Sequence, residues 1–186
     1  PPQPYAGNDT SICESAFFIP AASAYSYSAL RWSSEGDGLF SDTSLLHPEY
    51  YPGSDDLANG SVVLILHAFP LSPCIDTSSD QLLLSFEPIA FVEAGEDGSI
   101  CASEYYQTSA YTENAGSIQW VTDGDGGFND PSSISAIYYP GEGDEASGGC
   151  QLKLNVSSLP PCSEIVADSL ELTIKALPLV DAGEDQ

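Results

Sequence analysis

Apolar and polar residues alternate along several short stretches of this chain. In CQLKLNV, which begins at Cys150, every second residue after the cysteine is apolar, and SLELTI from Ser169 repeats the pattern. A period of two predicts strands with one buried and one solvated face. Clusters of Gly, Pro, Asp and Ser separate these stretches, and no segment shows a helical period. The pattern therefore predicts an all-β protein.

The same order of strands and turns occurs twice. A shift of 88 residues aligns Cys13 with Cys101 and Trp32 with Trp120 without a gap, and the segments GDG, YYPG and PC also recur. About a third of the aligned residues are identical, which indicates an internal repeat. We predict a linker over 1–4, repeat one over 5–92, repeat two over 93–180, and the start of a third repeat or a linker over 181–186.

The two tryptophans are predicted to anchor the two cores. Trp32 follows Leu30, and Trp120 follows Ile118, at the spacing that puts both residues of a pair on one strand face. Several short strands in about 90 residues, with a buried Trp on a central strand, are typical of immunoglobulin-like domains. We therefore predict two tandem immunoglobulin-like β-sandwich domains.

The charge of the chain excludes several classes of partner. It has 28 acidic residues against 3 Lys and Arg, which gives a formal net charge of −25. Nucleic-acid phosphates and anionic lipids are bound by basic side chains, so neither is an expected partner. No apolar run approaches the ~20 residues that span a bilayer, so this segment is not predicted to insert into a membrane. Such a surface attracts cations, and it also suits a high-salt habitat.

The order of motifs resembles a known group of extracellular repeats. AGxDxSIC, an inward Trp, GDG, YYPG, PC and a last alternating strand occur in this order in both repeats. This order is similar to the Ig-like or PKD-like repeats of large secreted bacterial surface proteins, in particular the adhesin-like proteins of Bacteroidota. The resemblance covers both repeats from end to end. One departure is Cys150, which stands where repeat one has Val62.

The resemblance implies a structural and non-catalytic role outside the cell. Repeats of this kind serve as a stalk, a surface layer or a fibre, so the expected location is extracellular, either on the cell surface or secreted. The expected partners are neighbouring repeats of the same chain and identical chains in a fibre. Because one fold hosts many functions, an adhesin or carbohydrate-binding module remains the alternative.

Four cysteines recur at matching positions, and an exported chain favours disulfide bonds. We favour bonds within each repeat, which pair Cys13 with Cys74 and Cys101 with Cys162. However, the two turns involved tend to lie at opposite ends of a sandwich, and bonded cysteines need Cα atoms within about 7 Å. If the first segment is a strand instead of a folded-back loop, a bond between repeats, such as Cys13 with Cys162, is expected. Bonds between chains, or thiols that stay free, are also compatible with the spacing.

Cys150 is the odd cysteine. It falls on the inward face of its strand, at the position of Val62. We favour a small buried residue, which is how free cysteine commonly behaves. A cross-link between molecules is the competing interpretation.

The acidic residues suggest a calcium site where the repeats meet. Glu93, Glu96 and Asp97 open repeat two, while Asp55 and Asp56 follow YYPG and are expected to face the same junction. Calcium takes six to eight oxygen ligands in forgiving geometry. A solvated acidic surface is the favoured interpretation, and no cofactor is required. The GDG segments do not fit an EF-hand loop and are predicted to be hairpin turns.

The sequence shows no catalytic motif. His47 and His67 both lie in repeat one and have no histidine counterpart in repeat two. No nucleophile elbow, zinc-type histidine spacing or phosphate-binding loop occurs, so we do not predict an enzyme.

Tyrosines are the candidate ligand-binding residues. A sugar-stacking face would be formed by Tyr25, Tyr27, Tyr105, Tyr106 and Tyr111. Tyr is also a common residue of ordinary strands, and we favour that interpretation.

Overall fold

The chain is organised as two compact units. A computed structural model describes residues 1–178. Unit 1 contains Pro1–Ile89 together with Pro160–Cys162, and unit 2 contains Ala90–Leu159 and, among the described residues, 163–178. The boundary falls after Ile89, three residues before the start that the repeat predicts. The predicted start of a third repeat, 181–186, lies outside the described residues.

Unit 1 is built from two layers of short strands. Its elements are β1 (Gln3–Tyr5), β2 (Thr10–Cys13), β3 (Ser23–Tyr25), β4 (Tyr27–Ser34), β5 (Leu39–Phe40), β6 (Tyr50–Tyr51), α1 (Ser54–Asn59), β7 (Ser61–Pro70) and β8 (Ser78–Glu87). The larger sheet has the order β2-β8-β7-β4, with β2 parallel to β8 and the other pairs antiparallel. The pairs β1–β3 and β5–β6 complete the unit.

Unit 2 repeats this arrangement. Its elements are β9 (Phe91–Glu93), β10 (Gly98–Cys101), β11 (Tyr106–Gln107), β12 (Tyr111–Glu113), β13 (Ala115–Thr122), β14 (Gly127–Phe128), β15 (Ile137–Tyr139), α2 (Glu142–Ser147), β16 (Gly149–Ser158) and β17 (Ile165–Lys175). The larger sheet has the order β10-β17-β16-β13, again with its first pair parallel. The smaller sheets are β11-β15-β14 and β12-β9.

The alternating residues form the cores. Leu152, Leu154 and Val156 of β16 are fully buried in the core cluster of unit 2, as the alternation predicts. Trp32 is 1% exposed in unit 1 and Trp120 is 2% exposed in unit 2. Each Trp ring lies beside a Phe whose ring centroid is 5.8 Å away. A sheet with one apolar face must cover that face with a second layer, and here the shorter strands do so.

Two short helices differ from the prediction that no segment is helical. Each has six residues, which is too short to show a 3.6-residue period in the sequence. In both, the N-cap residue is the glycine that follows YYP, and the C-cap residue, Gly60 or Gly148, is a glycine in the left-handed conformation. Within residues 1–178, no helix has the length and apolar character required to cross a bilayer.

Candidate functional site

The GDG turn and the helix after YYPG meet around one buried carboxylate in each unit. In unit 1 this is Asp56, which is 1% exposed. It accepts hydrogen bonds from the backbone N–H groups of Asp37, Gly38 and Gly53 at 3.1–3.2 Å and from the Tyr50 hydroxyl at 2.5 Å. A buried carboxylate is stable only when its oxygens find donors, and four donors converge here. We call Asp37, Tyr50, Gly53 and Asp56 the acidic turn cluster of unit 1.

The turn also stabilises the helix. The first N–H groups of a helix lack partners inside the helix. The Asp37 carboxylate accepts hydrogen bonds from two of them, on Asp55 and Asp56, at 3.1–3.2 Å. The Asp37 side chain of the GDG turn therefore caps the N-terminus of the helix. In return, the Asp56 side chain of the helix accepts hydrogen bonds from the backbone of the GDG turn.

Unit 2 has the same cluster, formed by Asp125, Tyr138, Gly141 and Asp144. Asp144 is 2% exposed and accepts hydrogen bonds from the N–H groups of Asp125, Gly126 and Gly141, each at 3.1 Å. The Tyr138 hydroxyl donates a fourth at 2.6 Å. Asp125 in turn accepts hydrogen bonds from two N–H groups in the first turn of α2, at 2.9 and 3.0 Å.

The close approach of the buried carboxylate and the tyrosine hydroxyl to the turn explains why both turns have the sequence Gly-Asp-Gly. A Cβ added at Gly124 would lie 1.8 Å from the Asp144 carboxylate, and one at Gly126 would lie 2.4 Å from the Tyr138 hydroxyl. The matching distances at the two glycines of the turn in unit 1 are 1.5 and 2.3 Å. Only glycine leaves room for the buried carboxylate and phenol at these positions.

In unit 2 the contacts within the cluster shift the pKa values of Tyr138 and Asp144. Burial raises the pKa of the Asp144 carboxyl, but hydrogen bonds from the Tyr138 hydroxyl and from backbone N–H groups outweigh it and hold the pKa below its usual range. Burial and the hydrogen bond to Asp144 raise the pKa of Tyr138 well above that of a free phenol. The ionised carboxylate and the neutral phenol are therefore the stable pair.

These contacts change the interpretation of the predicted calcium ligands. Asp56 does not present a free carboxylate, because its oxygens already accept four hydrogen bonds, so its role is structural. Asp97 accepts a hydrogen bond from the Glu171 N–H at 2.8 Å. Glu93, Glu96 and Asp97 line one hollow of about 480 Å³ in unit 2. A calcium site that uses these three residues, or the exposed Asp55, stays a prediction.

The cysteines pair differently from the favoured prediction. Cys13 is bonded to Cys162, with Cα atoms 4.7 Å apart, while Cys74 and Cys101 are free and exposed. The within-repeat pairing is therefore wrong, and the bond between repeats is the one observed. The physical reason is the conformation of the first segment. The segment that ends at Cys13 is a strand, β2, paired in parallel with β8, and not a folded-back loop.

Cys150 takes the place that Val62 has in unit 1. It is free and 8% exposed, and its sulfur lies 3.6 Å from the Tyr138 hydroxyl. Burial raises the pKa of its thiol, which keeps the sulfur protonated and unreactive.

The five predicted ligand-binding tyrosines do not share one environment. Tyr25, Tyr105 and Tyr111 are 52–65% exposed, whereas Tyr27 and Tyr106 pack against the cores of their units. Tyr111 lies beside Phe91 and donates a hydrogen bond to Glu113. A ligand-binding role for these tyrosines stays a prediction.

A different exposed aromatic pair recurs in both units. The rings of Phe17 and Tyr51 are 5.8 Å apart, and those of Tyr105 and Tyr139 at the equivalent positions are 6.2 Å apart. All four side chains are about half exposed. The sequence comparison between the repeats contained this signal, since both positions are aromatic in both repeats.

The structure also assigns a role to residues that sequence reasoning missed. Asp37, Asp125 and Asp144 were not expected to pair with the tyrosines of YYPG. The signal for this pairing was the recurrence of GDG, YYPG and a following Asp at equal spacing in both repeats.

Several solved structures have a similar architecture. No protein-family profile and no curated protein matches the sequence. Among solved structures, mouse cadherin-23 EC22-24 matches with a TM-score of 0.52 and 14% identity, over 95% of this chain and 66% of that chain. Protocadherin gamma B2 extracellular cadherin domains 3-6 match with a TM-score of 0.48 and 14% identity, over 94% of this chain and 47% of that one.

Sidekick-1 immunoglobulin domains 1-4 match with a TM-score of 0.47 and 13% identity, over 94% of this chain and 48% of that one. This chain thus spans about half the length of two of these structures. At such low identity the likeness shows the fold alone. The predicted all-β, immunoglobulin-like sandwich fold is confirmed.

We expect Gly126→Ala to destabilise unit 2 and Gly127→Ala to leave it nearly unchanged. The first Cβ would clash with the Tyr138 hydroxyl, whereas the second has no heavy atom within 4 Å. The expected loss is about 2 kcal/mol for the first variant and below about 0.5 kcal/mol for the neighbouring control. Urea unfolding followed by NMR of the two indole N–H signals, with Trp120 reporting on unit 2, measures both. Equal stability of the two variants would contradict the proposed close approach.

We expect Asp144 to make unit 2 sensitive to acid. Its pKa is lower in the folded protein than in the unfolded chain, so folding favours the ionised form. The stabilisation is complete above the ordinary Asp pKa of about 3.9 and is lost as the pH falls through the lower folded value. Asp144→Asn should therefore be less stable than the parent at pH 7, with the difference shrinking towards pH 2. The exposed Glu142→Gln is the control, and a difference that does not change with pH would refute this role.

Proposed function

We propose that this chain is a non-catalytic structural module of an extracellular protein, in which tandem Ig-like repeats form a stalk, a surface layer or a fibre at a bacterial surface. The observation that carries the proposal is the bond between Cys13 and Cys162. It joins a cysteine of repeat one to a cysteine of repeat two across 149 positions of the chain. Stable disulfides of this kind belong to oxidising compartments, which supports a location outside the cytoplasm.

The bond supports a mechanical role because of where it lies in the chain. Cys13 is near the start of the described residues and Cys162 is near their end. A force applied to the two termini would pass through the sulfur–sulfur bond, and the residues between the cysteines would not extend even after unfolding. Such a bond would limit the extension of a stalk under load.

The repeated construction of the units supports the same role. Each unit has its own core and its own acidic turn cluster. The chain carries a formal net charge of −25, which keeps such modules soluble and opposes non-specific association. These are properties of a building block, and they require no catalytic group.

We expect the bond to limit extension in a single-molecule pulling experiment. When the chain is pulled from its termini under oxidising conditions, the segment between the two cysteines, which are 149 positions apart, should not add to the measured contour length. The hidden length is about 500 Å at the maximal extension of ~3.3–3.6 Å per residue. A reductant or Cys13→Ser should release it, while Cys150→Ser should not. Full extension of the oxidised parent would overturn the mechanical role.

A binding role is the second candidate, as an adhesin or a carbohydrate-recognition module. The observation that favours it is the exposed aromatic pair, Phe17–Tyr51 and Tyr105–Tyr139, at equivalent places in both units. Adjacent exposed rings offer flat apolar surfaces on which sugar rings stack. The folding of a strand does not itself require such a pair of exposed rings, so their recurrence points to another role.

We expect any glycan binding to depend on this pair. If a glycan array detects binding, the double variant Tyr51→Ala/Tyr139→Ala should lose it by tenfold or more, since each lost stacking contact costs roughly 1 kcal/mol. Tyr25→Ala is the matched control, because Tyr25 is 65% exposed but has Glu113 at the equivalent position. Equal loss in the control, or no binding by the parent, would reject this candidate.

A further inference from the structure

Each cysteine of the Cys13–Cys162 bond has an equivalent cysteine in the other repeat. The residue equivalent to Cys13 in repeat two is Cys101, and the residue equivalent to Cys162 in repeat one is Cys74. The observed bond thus joins the strand-end cysteine of one repeat to the loop cysteine of the next repeat. Cys101 is a strand-end cysteine and Cys74 is a loop cysteine, and both are free.

Cys101 lies in the same local structure as Cys13. Strand β2 pairs in parallel with β8, with Cys13 opposite Glu87, and β10 pairs in parallel with β17, with Cys101 opposite Lys175. The strand register agrees residue by residue under the 88-residue shift. In both units the carbonyl of the cysteine then accepts a hydrogen bond from the N–H three residues later, at 2.9 Å in unit 1 and 3.2 Å in unit 2. The end of β10 therefore presents Cys101 as the end of β2 presents Cys13.

The two strand-end cysteines differ in what covers them. Cys13 is 6% exposed, and the segment Pro160–Cys162 belongs to its unit, with the Cys162 sulfur 3.3 Å from the Glu87 carbonyl oxygen. Cys101 is exposed, and so is Cys74 on the loop after β7. The two exposed thiols thus occupy the positions that are bonded in the Cys13–Cys162 pair.

We propose that Cys101 is a covalent attachment site for the Pro-Cys loop of another copy of this repeat, and that Cys74 is the loop half of the same kind of bond. This inference rests on the proposed function, because it makes each repeat of an array covalently bonded to the next. The chemical partner of Cys101 is a cysteine at the position of Cys74, preceded by proline. The partner of Cys74 is a cysteine at the end of a strand like β10.

The bond forms by two thiol–disulfide exchanges with an external disulfide, for which glutathione disulfide is a sufficient oxidant. The Cys101 thiolate attacks one glutathione sulfur, which forms a mixed disulfide and releases one glutathione thiolate. The thiolate of the partner cysteine then attacks the Cys101 sulfur and releases the second. Two protein thiols are oxidised by two electrons, one glutathione disulfide is reduced, and the two protons end on the two glutathione thiols.

Cys150 provides an internal control for this chemistry. It is buried, and the pKa of its thiol is raised by that burial. It should therefore stay reduced while exposed thiols react.

The test uses two variants of the chain, each of which retains only one of the two cysteines that the proposed bond requires. Cys74→Ser retains Cys101, and Cys101→Ser retains Cys74. Each variant is oxidised in a glutathione redox buffer, alone and as an equimolar mixture with one partner labelled with nitrogen-15. Digestion with proteases specific for acidic residues suits the mapping, since the chain has 28 Asp and Glu but only 3 Lys and Arg.

We expect the mixture to form a labelled–unlabelled dimer through Cys101 and Cys74, in about tenfold or greater excess over the dimers of either variant alone, because a complementary docking surface raises the effective concentration of the two thiols. Dimers that do form, but in equal yield with and without the complementary variant, would indicate random oxidation and overturn the inference.

A second measurement covers a partner within the same polypeptide. A chain lengthened by a further copy of 93–180 should bond Cys101 to the loop cysteine of that added copy. Bonding in the lengthened chain without dimers in the mixture assigns the partner to the same polypeptide and supports the inference. A reduced Cys101 in the lengthened chain overturns it. Such a failure would leave the Cys13–Cys162 bond and its extension limit in place, whereas failure of the proposed function would remove that limit.

Discussion

The local structure of each unit depends on one buried carboxylate. Asp56 in unit 1 and Asp144 in unit 2 each accept four hydrogen bonds, from a turn, from the start of a helix and from a tyrosine. An ionised group in the interior is tolerated only when it is so fully bonded, since desolvation otherwise makes its charged form unstable. This requirement explains why glycines flank the turn and why the tyrosine follows at a constant spacing. The acidic turn therefore has a structural role, because it joins the start of the helix and the tyrosine through one carboxylate.

The disulfide stabilises the protein over a longer stretch of the chain than the buried carboxylates do. A domain of about 90 residues has a limited core, and a bond that closes a long loop reduces the freedom of the unfolded chain. In the chain-entropy description a loop of this length is worth about 4–5 kcal/mol. The bond also makes residues of both repeats part of one covalent loop. This stabilisation, and the limit on extension that we expect from the bond, fit the proposed role in a stalk or fibre.

Much of the fold could be predicted because its signals are local. The alternation in β16 identified its buried face, the recurrence of Trp32 at Trp120 identified the repeat, and the turn residues separated the strands. The site was harder to predict. The recurrence of GDG and YYPG was visible, but Asp37 and Asp56 lie apart in the chain and nothing local reveals which backbone donors a carboxylate will meet. Both helices were missed because six residues held by side-chain caps carry no periodic pattern.

The sequence by itself determined the all-β class, the 88-residue repeat, the inward tryptophans and the acidic character, because each follows from residue type and spacing along the chain. Only the tertiary structure decided the pairing of the cysteines. Spacing allowed bonds within or between repeats, and the choice depended on whether the segment ending at Cys13 is a strand parallel to β8. A parallel strand pair joins the two ends of a repeat, so its existence and register depend on contacts far apart in sequence, which no local pattern reports.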